Sequence, residues 1–270
     1  MAHFHVYSDA HGGIAMPRIS RIEIGDLYDC LRAGWADFMA KPSHIVFTVI
    51  LYPLIGVVLA AWTSGANMLP MLFPLASGFA LLGPLAAIGL YEVSRRRELG
   101  MEVSWRQVLE IRHSPALPSI AAVGVFLFAL FIAWLLVAQG LYTSLFGAGA
   151  PASHVAFIRD LFGTERGWSL ILYGNLIGLV FAAVVISTTV IAFPLLLDRD
   201  VGAASAIAAS VQATLANPGP IAVWGVLVAL LLALGSVPLF AGLIVVFPVI
   251  GHATWHLYRK LAPGSLSPGR

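Results

Sequence analysis

The chain has 270 residues, of which 59% are hydrophobic and 10% charged, with a mean hydropathy of +0.90. Soluble domains carry roughly a quarter charged residues, so the composition excludes an ordinary water-soluble globule and places the chain in a bilayer. The formal charge of +2 gives little reason to expect a nucleic-acid partner, and the single Cys30 excludes an intramolecular disulfide.

In chain order, residues 1–19 are polar, contain Gly and carry His3, His5 and His11; a disordered cytoplasmic tail is expected. The first 43 residues hold no apolar stretch of signal-peptide form, so the first membrane helix is expected to direct insertion. From Ile24 the residues Ile24, Leu27, Tyr28, Leu31, Trp35, Phe38 and Met39 follow helical spacing. Asp26, Asp29, Arg32 and Asp37 take the other face, which predicts an amphipathic helix at the membrane surface.

Apolar runs follow at 44–63, 69–92, 119–139, 169–197 and 221–258. The last, at about 1.5 Å per residue, would extend roughly 57 Å against a hydrocarbon thickness of about 30 Å. A break at Gly235 to Pro238 divides it into 221–234 and 237–258 and gives six predicted spans. Thirteen Lys and Arg fall in 1–43, 93–118, 198–220 and 259–270, and the opposite loops hold only Arg159 and Arg166. By the positive-inside rule both termini are cytoplasmic, as expected of a multi-pass protein of the bacterial inner membrane.

Between the spans, Ser104 and Gln107 form a capping box before a second amphipathic segment. A third, with Ile207, Val211 and Leu215 as its apolar stripe, runs to Asn217 and Pro218. A short surface helix is expected around 155–162. LRAGWADFMAKPSHI (31–45) and IAASVQATLANPGPI (207–221) align without a gap. The simplest organisation is three units of one orientation, each an interfacial helix followed by a membrane hairpin. The expected architecture is an all-α polytopic membrane bundle, with 20–261 as one integral domain and 262–270 as a short cytoplasmic tail.

The blocks GWADF (34–38), YPLIG (52–56), GLYEVSRRRE (89–98), FPLLLDRDVG (193–202) and GHATWHLYR (251–259) resemble an uncharacterised bacterial inner-membrane family, the domain of unknown function 2189. The resemblance runs from about residue 18 to 261 and implies no particular activity. Some members carry a cytochrome c oxidase subunit I label. Such a subunit is similar in being helical, but it has intramembrane histidines on several helices, and here only His252 and His256 fall within a span.

Those two histidines are four residues apart and so share a helix face. One reading makes them interfacial anchors, with Trp255 and Tyr258 as an aromatic belt and Arg259 and Lys260 reaching headgroups. The other makes them metal or proton ligands with Glu92, His44 and His113, and needs more than two imidazoles to converge. Arg95, Arg96 and Arg97 are read as lipid-interface and topology-setting residues. Asp198, Arg199 and Asp200 are read as a helix cap with local pairing. Gly174, Asn175 and Gly178 are read as a close-packing motif in which Asn175 can bond across helices.

No Asp, Glu, Lys or Arg occupies the centre of any predicted span, although such groups usually mark ion paths and proton relays. Nor does the chain carry a phosphate-binding loop, zinc-protease motif or nucleophile elbow. The expectation is a non-enzymatic protein without cofactor that organises a membrane partner, a lipid or an assembly process. Membrane lipids and a protein partner or second copy are its expected contacts, with no nucleic acid. The alternatives are a channel or transporter for a neutral small solute and a metal- or haem-binding membrane protein.

Overall fold

The computed structural model describes residues 17–40, 69–104, 109–149, 151–199, 201–238 and 240–263. Within them the regular elements are all helical. They are α1 (Ile24–Ala40), α2 (Leu69–Leu81), α3 (Gly83–Ala86), α4 (Ile88–Glu98), a 3-10 turn (Leu109–His113), α5 (Leu117–Phe146), α6 (His154–Gly163), α7 (Glu165–Thr189), α8 (Ala192–Asp198), α9 (Ala203–Ala216), α10 (Pro218–Ser236) and α11 (Leu243–Leu261).

Among the described residues three helices are long and apolar enough to cross a membrane: Leu117–Phe146, Glu165–Asp198 and Pro218–Ser236. The predicted span 44–63 and residues 1–16 of the predicted tail lie outside the described residues. The run 69–92 is not one helix but α2, α3 and α4 in succession. The run 169–197 is interrupted at Val190 and Ile191, between α7 and α8. The last run does break: α10 continues to Ser236, the chain turns through Phe240 at φ +65°, and α11 returns. The segment after Ser104 forms a 3-10 turn at Leu109–His113, with 105–108 outside the described residues.

The chain divides into two compact units, one drawing on Met1–Thr48, Pro84–Val125 and Ile186–Arg270, the other on Val49–Gly83 and Phe126–Val185. In the second unit Trp134 ties three helices together. Its indole donates to the Pro74 carbonyl of α2 at 2.8 Å, and its ring meets Phe181 of α7 with centroids 5.6 Å apart. Gly78 and Gly178 let the aromatic rings of α5 approach closely. Asn175 does not bond across helices; its amide donates to the Ile171 carbonyl in its own helix and stays exposed.

The first unit is built on the antiparallel pair α10 and α11, whose near ends meet where Gly235 packs on Gly242 and Leu243. Their far ends are joined by the arm before α1. Ser20 N–H donates to the Leu261 carbonyl at 2.8 Å, and Ile22 N–H to Asn217 Oδ1 at 2.8 Å. The Asn217 amide donates in turn to the carbonyls of Ser20 and Ala213. α1 lies along α11, and α4 packs on the same helix.

Two faces differ from the sequence expectation. On α1 the buried residues are Leu27, Cys30, Gly34, Asp37 and Phe38, whereas Ile24, Tyr28, Trp35 and Met39 are exposed. Trp35 and Phe38 therefore serve different faces, and Asp37 belongs to the buried one. On α9 the buried face is Ala206, Ala209, Ser210 and Ala213, and Leu215 of the predicted stripe is exposed. Small side chains win here because they let α9 approach α8 closely.

Candidate functional site

The end of α11 that begins at Gly251 is enclosed by α1, α4 and α8, and this is where polar side chains of the first unit converge. Hydrophobicity places α4 there only in part, because its second half is the run Glu92 to Glu98. That run can be buried only if its charges are satisfied inside.

Glu92 satisfies two of them. It is fully buried and accepts from Arg95 Nε at 2.7 Å and Nη2 at 3.0 Å, and from Arg96 Nε at 2.6 Å. The i,i+3 and i,i+4 spacing brings these side chains together on one helical face. Burial opposes the charge on Arg95, but the bonds to Glu92 and the nearby Asp198 outweigh it and hold its pKa above the ordinary value. Arg96 also lies 3.5 Å from Glu110.

A second set joins three helices. Asp37 of α1 accepts from Ser94 Oγ of α4 at 2.5 Å and from His256 Nε2 of α11 at 2.9 Å. Arg97 Nη1 lies 3.1 Å from its other oxygen. An ionised carboxylate only accepts, so the single Ser94 proton goes to Asp37 and His256 carries a proton on Nε2. Ser94 Oγ must then accept from His252 Nδ1, 2.8 Å away. The set therefore fixes which ring nitrogen of each histidine donates. Burial alone would raise the Asp37 pKa, and the bonds from His256 and Ser94 bring it below the usual carboxylate value. His252 is fully buried, and its Nε2 makes no well-formed hydrogen bond, although the Leu90 backbone lies within reach of the ring.

Further pairs close the perimeter. Tyr258 Oη donates to Asp198 at 2.6 Å, Trp255 Nε1 to Glu98 at 2.9 Å, and Arg259 Nε to the other Glu98 oxygen at 2.8 Å. Lys260 Nζ bridges Asp26 at 2.6 Å and Asp29 at 3.0 Å. This bridge lowers the Asp26 pKa and raises that of Lys260. Burial pushes the Cys30 thiol up to about 12, so it stays protonated.

Several expectations are corrected by this geometry. Trp255 and Tyr258 are not a lipid-facing belt; both are fully enclosed, because their polar tips have acidic partners within the unit. Arg95 and Arg96 are likewise buried around Glu92 and are not presented to headgroups. Arg97, Arg259 and Lys260 keep partial exposure but are held by Asp37, Glu98, Asp26 and Asp29. Asp198 does pair locally, with Arg199 Nε at 3.9 Å, but it also pairs beyond its own helix, with Tyr258 of α11; Asp200 lies outside the described residues. Glu92 does not reach His256: the two arginines occupy its oxygens and Asp37 occupies the imidazole. His113 ends the 3-10 turn, and His44 lies outside the described residues. Among the described residues no group of three His, Cys, Asp or Glu side chains converges in a way that could hold a metal ion.

Sequence reasoning missed Asp37, Ser94 and Glu98 as members. For Asp37 a signal existed: together with Cys30 and Gly34 it lies on one side of α1, beside the apolar stripe. Ser94 and Glu98 carried none, since a hydroxyl or carboxylate beside three arginines reads as solvated surface.

Four of the five sequence blocks, GWADF, GLYEVSRRRE, FPLLLDRDVG and GHATWHLYR, contribute side chains to this one cluster; YPLIG lies outside the described residues. Comparison with curated proteins and with solved structures finds no match. The apolar helices identify an integral membrane protein, and residues 72–198 match the model of the family described as "Predicted integral membrane protein (DUF2189)", the family that the sequence blocks resemble.

Proposed function

We propose that this chain is a six-span protein of the bacterial inner membrane, with both termini in the cytoplasm, that organises a membrane partner, a lipid or an assembly process without catalysing a reaction. The observation that carries this reading is the mutual engagement of the buried polar side chains. The buried Glu92, Asp37 and Asp198, and the exposed Glu98 at the perimeter, each accept from residues of the same unit. Groups that could act on a substrate are instead joining α1, α4, α8 and α11 into one body. Such a body supports a scaffold, because a partner docks best on a surface that is already ordered.

Affinity purification of the full chain from native membranes, followed by identification of proteins and lipids, tests this. A stoichiometric protein or a selectively enriched lipid is the expected result. The second reading, passage of a neutral solute, is favoured by the interruption at Val190 and Ile191 inside an otherwise continuous apolar helix, since broken helices free backbone carbonyls. Solute flux into liposomes containing the purified chain, with no co-purifying partner, would replace the first reading by the second.

A further inference from the structure

The segment between α5 and α7 holds α6, whose attachment is unusually well defined. Ser153 caps it by accepting from Ala156 N–H at 3.1 Å. At its other end Thr164 alone separates it from α7. Thr164 Oγ1 donates to the Asp160 carbonyl at 2.6 Å and accepts from Gly167 N–H at 3.0 Å. Gly167 sits against the Leu161 and Asp160 carbonyls, where a Cβ would collide with backbone, so only glycine allows α6 to fold back this tightly. Trp168 Nε1 donates to the Phe162 carbonyl at 3.1 Å. α6 is thus fixed to the first turn of a helix long and apolar enough to cross the membrane.

The face it turns outward is apolar. The exposed residues of α6 are Val155, Ile158, Arg159, Phe162 and Gly163. Val155 is 77% and Phe162 58% exposed, and with Ile158 they stand at i, i+3 and i+7, one stripe of the helix. The opposite side is engaged: Phe157 meets Tyr142, and Leu161 meets Gly167. The stripe does not end with α6. The Phe162 ring makes an edge-on contact with Trp168 at 6.4 Å, and Trp168 begins the exposed side of α7, continued by Leu172, Leu176 and Leu179. That side of a candidate span is exposed and apolar, the character of a lipid-facing surface.

We propose that α6 is an in-plane membrane helix, whose stripe of Val155, Ile158 and Phe162 is embedded in the headgroup and acyl boundary of the leaflet at the start of α7. Continuity with the lipid-facing side of α7 selects lipid as the occupant. Trp168 has the amphipathic ring that favours this boundary, and Arg159, beside the stripe, can extend its stem along apolar surface while its guanidinium reaches a phosphate. The embedding needs only that α7 crosses the membrane; its assignment to the outer leaflet rests on the topology proposed above.

The test uses the full chain in liposomes, with Cys30→Ser as background and single spin-labelled cysteines at Val155, Ile158 and Phe162. Ala152 serves as reference for the adjoining loop and Leu179 for the span. Collision with oxygen, which concentrates in lipid, is compared with collision with a water-soluble nickel chelate. The stripe labels should show an oxygen-to-nickel ratio severalfold above Ala152 and approaching Leu179. A ratio equal to that of Ala152 would overturn the embedding. Labels shielded from both reagents, or coupled between chains, would overturn lipid as the occupant in favour of protein. A reporter fused after residue 152 reads the leaflet separately, so failure of the topology and failure of the embedding are distinguishable.

Discussion

At the scale of single residues, the buried charges of α4 make the sharpest expectation. Removing one partner of a buried ion pair leaves the other uncompensated and costs about 3–5 kcal/mol. Glu92→Gln strands Arg95 and Arg96 together, so thermal unfolding in detergent should show a loss of that order; an unchanged midpoint would show that the cluster is not holding the fold. The histidines should differ from each other. His256→Gln keeps a donor for Asp37 and should cost no more than about 1 kcal/mol, as at most sites without a special constraint. His252→Leu removes the donor to Ser94 inside a closed site, and a loss of about 1–3 kcal/mol is expected. Equal effects of the two substitutions would contradict the hydrogen-bond assignment.

At the scale of elements, the attachment of α1 to α11 combines a close approach with ionic pairs. A Cβ at Gly34 would lie 2.6 Å from Ala253 N and 2.8 Å from the Val249 carbonyl, both backbone atoms that cannot turn aside. Gly34→Ala should therefore cost about 1–3 kcal/mol as an overpacked contact. Gly25→Ala meets nothing within 4 Å and should be neutral or slightly stabilising, because Ala is the better helix former. Identical melting of the two variants would remove the steric argument. The ionic pairs set a pH window. Asp26 and Asp37 have depressed folded-state values, so their contribution is present above the ordinary 3.8 and is lost as pH falls through the folded values. Lys260 has a raised value, so its contribution is full below 10.5 and is lost as pH rises through the folded value. Hydrogen-exchange protection of α1, corrected for intrinsic rates, should be highest between these limits and fall at both ends. Protection that stays level into acid would show that the carboxylates do not hold the helix.

At the scale of the whole molecule, the distribution of Lys and Arg predicts alternation. Reporter fusions after residues 66, 105, 152, 208, 236 and 265 should read outside, inside, outside, inside, outside and inside. A cytoplasmic signal at 152 would overturn the six-span topology.

Membrane class was legible in the sequence because it follows from composition, and the helical elements because long apolar runs have one stable form in lipid. The turn after α10 was legible from a length argument, since no single helix of that run fits the bilayer. Chemistry at the end of α11 was not legible. The periodicity of α1 ranks residues by hydrophobicity, and Asp37 ranked as surface; its burial depends on Ser94 and His256, which are distant in sequence. The three consecutive arginines read as a headgroup cluster because local sequence, although it spaces Glu92 for Arg95 and Arg96, cannot show that these charges lie inside a packed unit or that Arg97 meets Asp37. Trp255 and Tyr258 carry the composition of an interfacial belt, and only the acidic side chains of other helices decide that they are interior. Sequence by itself determined where apolar surface must leave water; the tertiary structure decided which polar groups go with it, because a buried charge is stable only beside partners that packing brings from elsewhere in the chain.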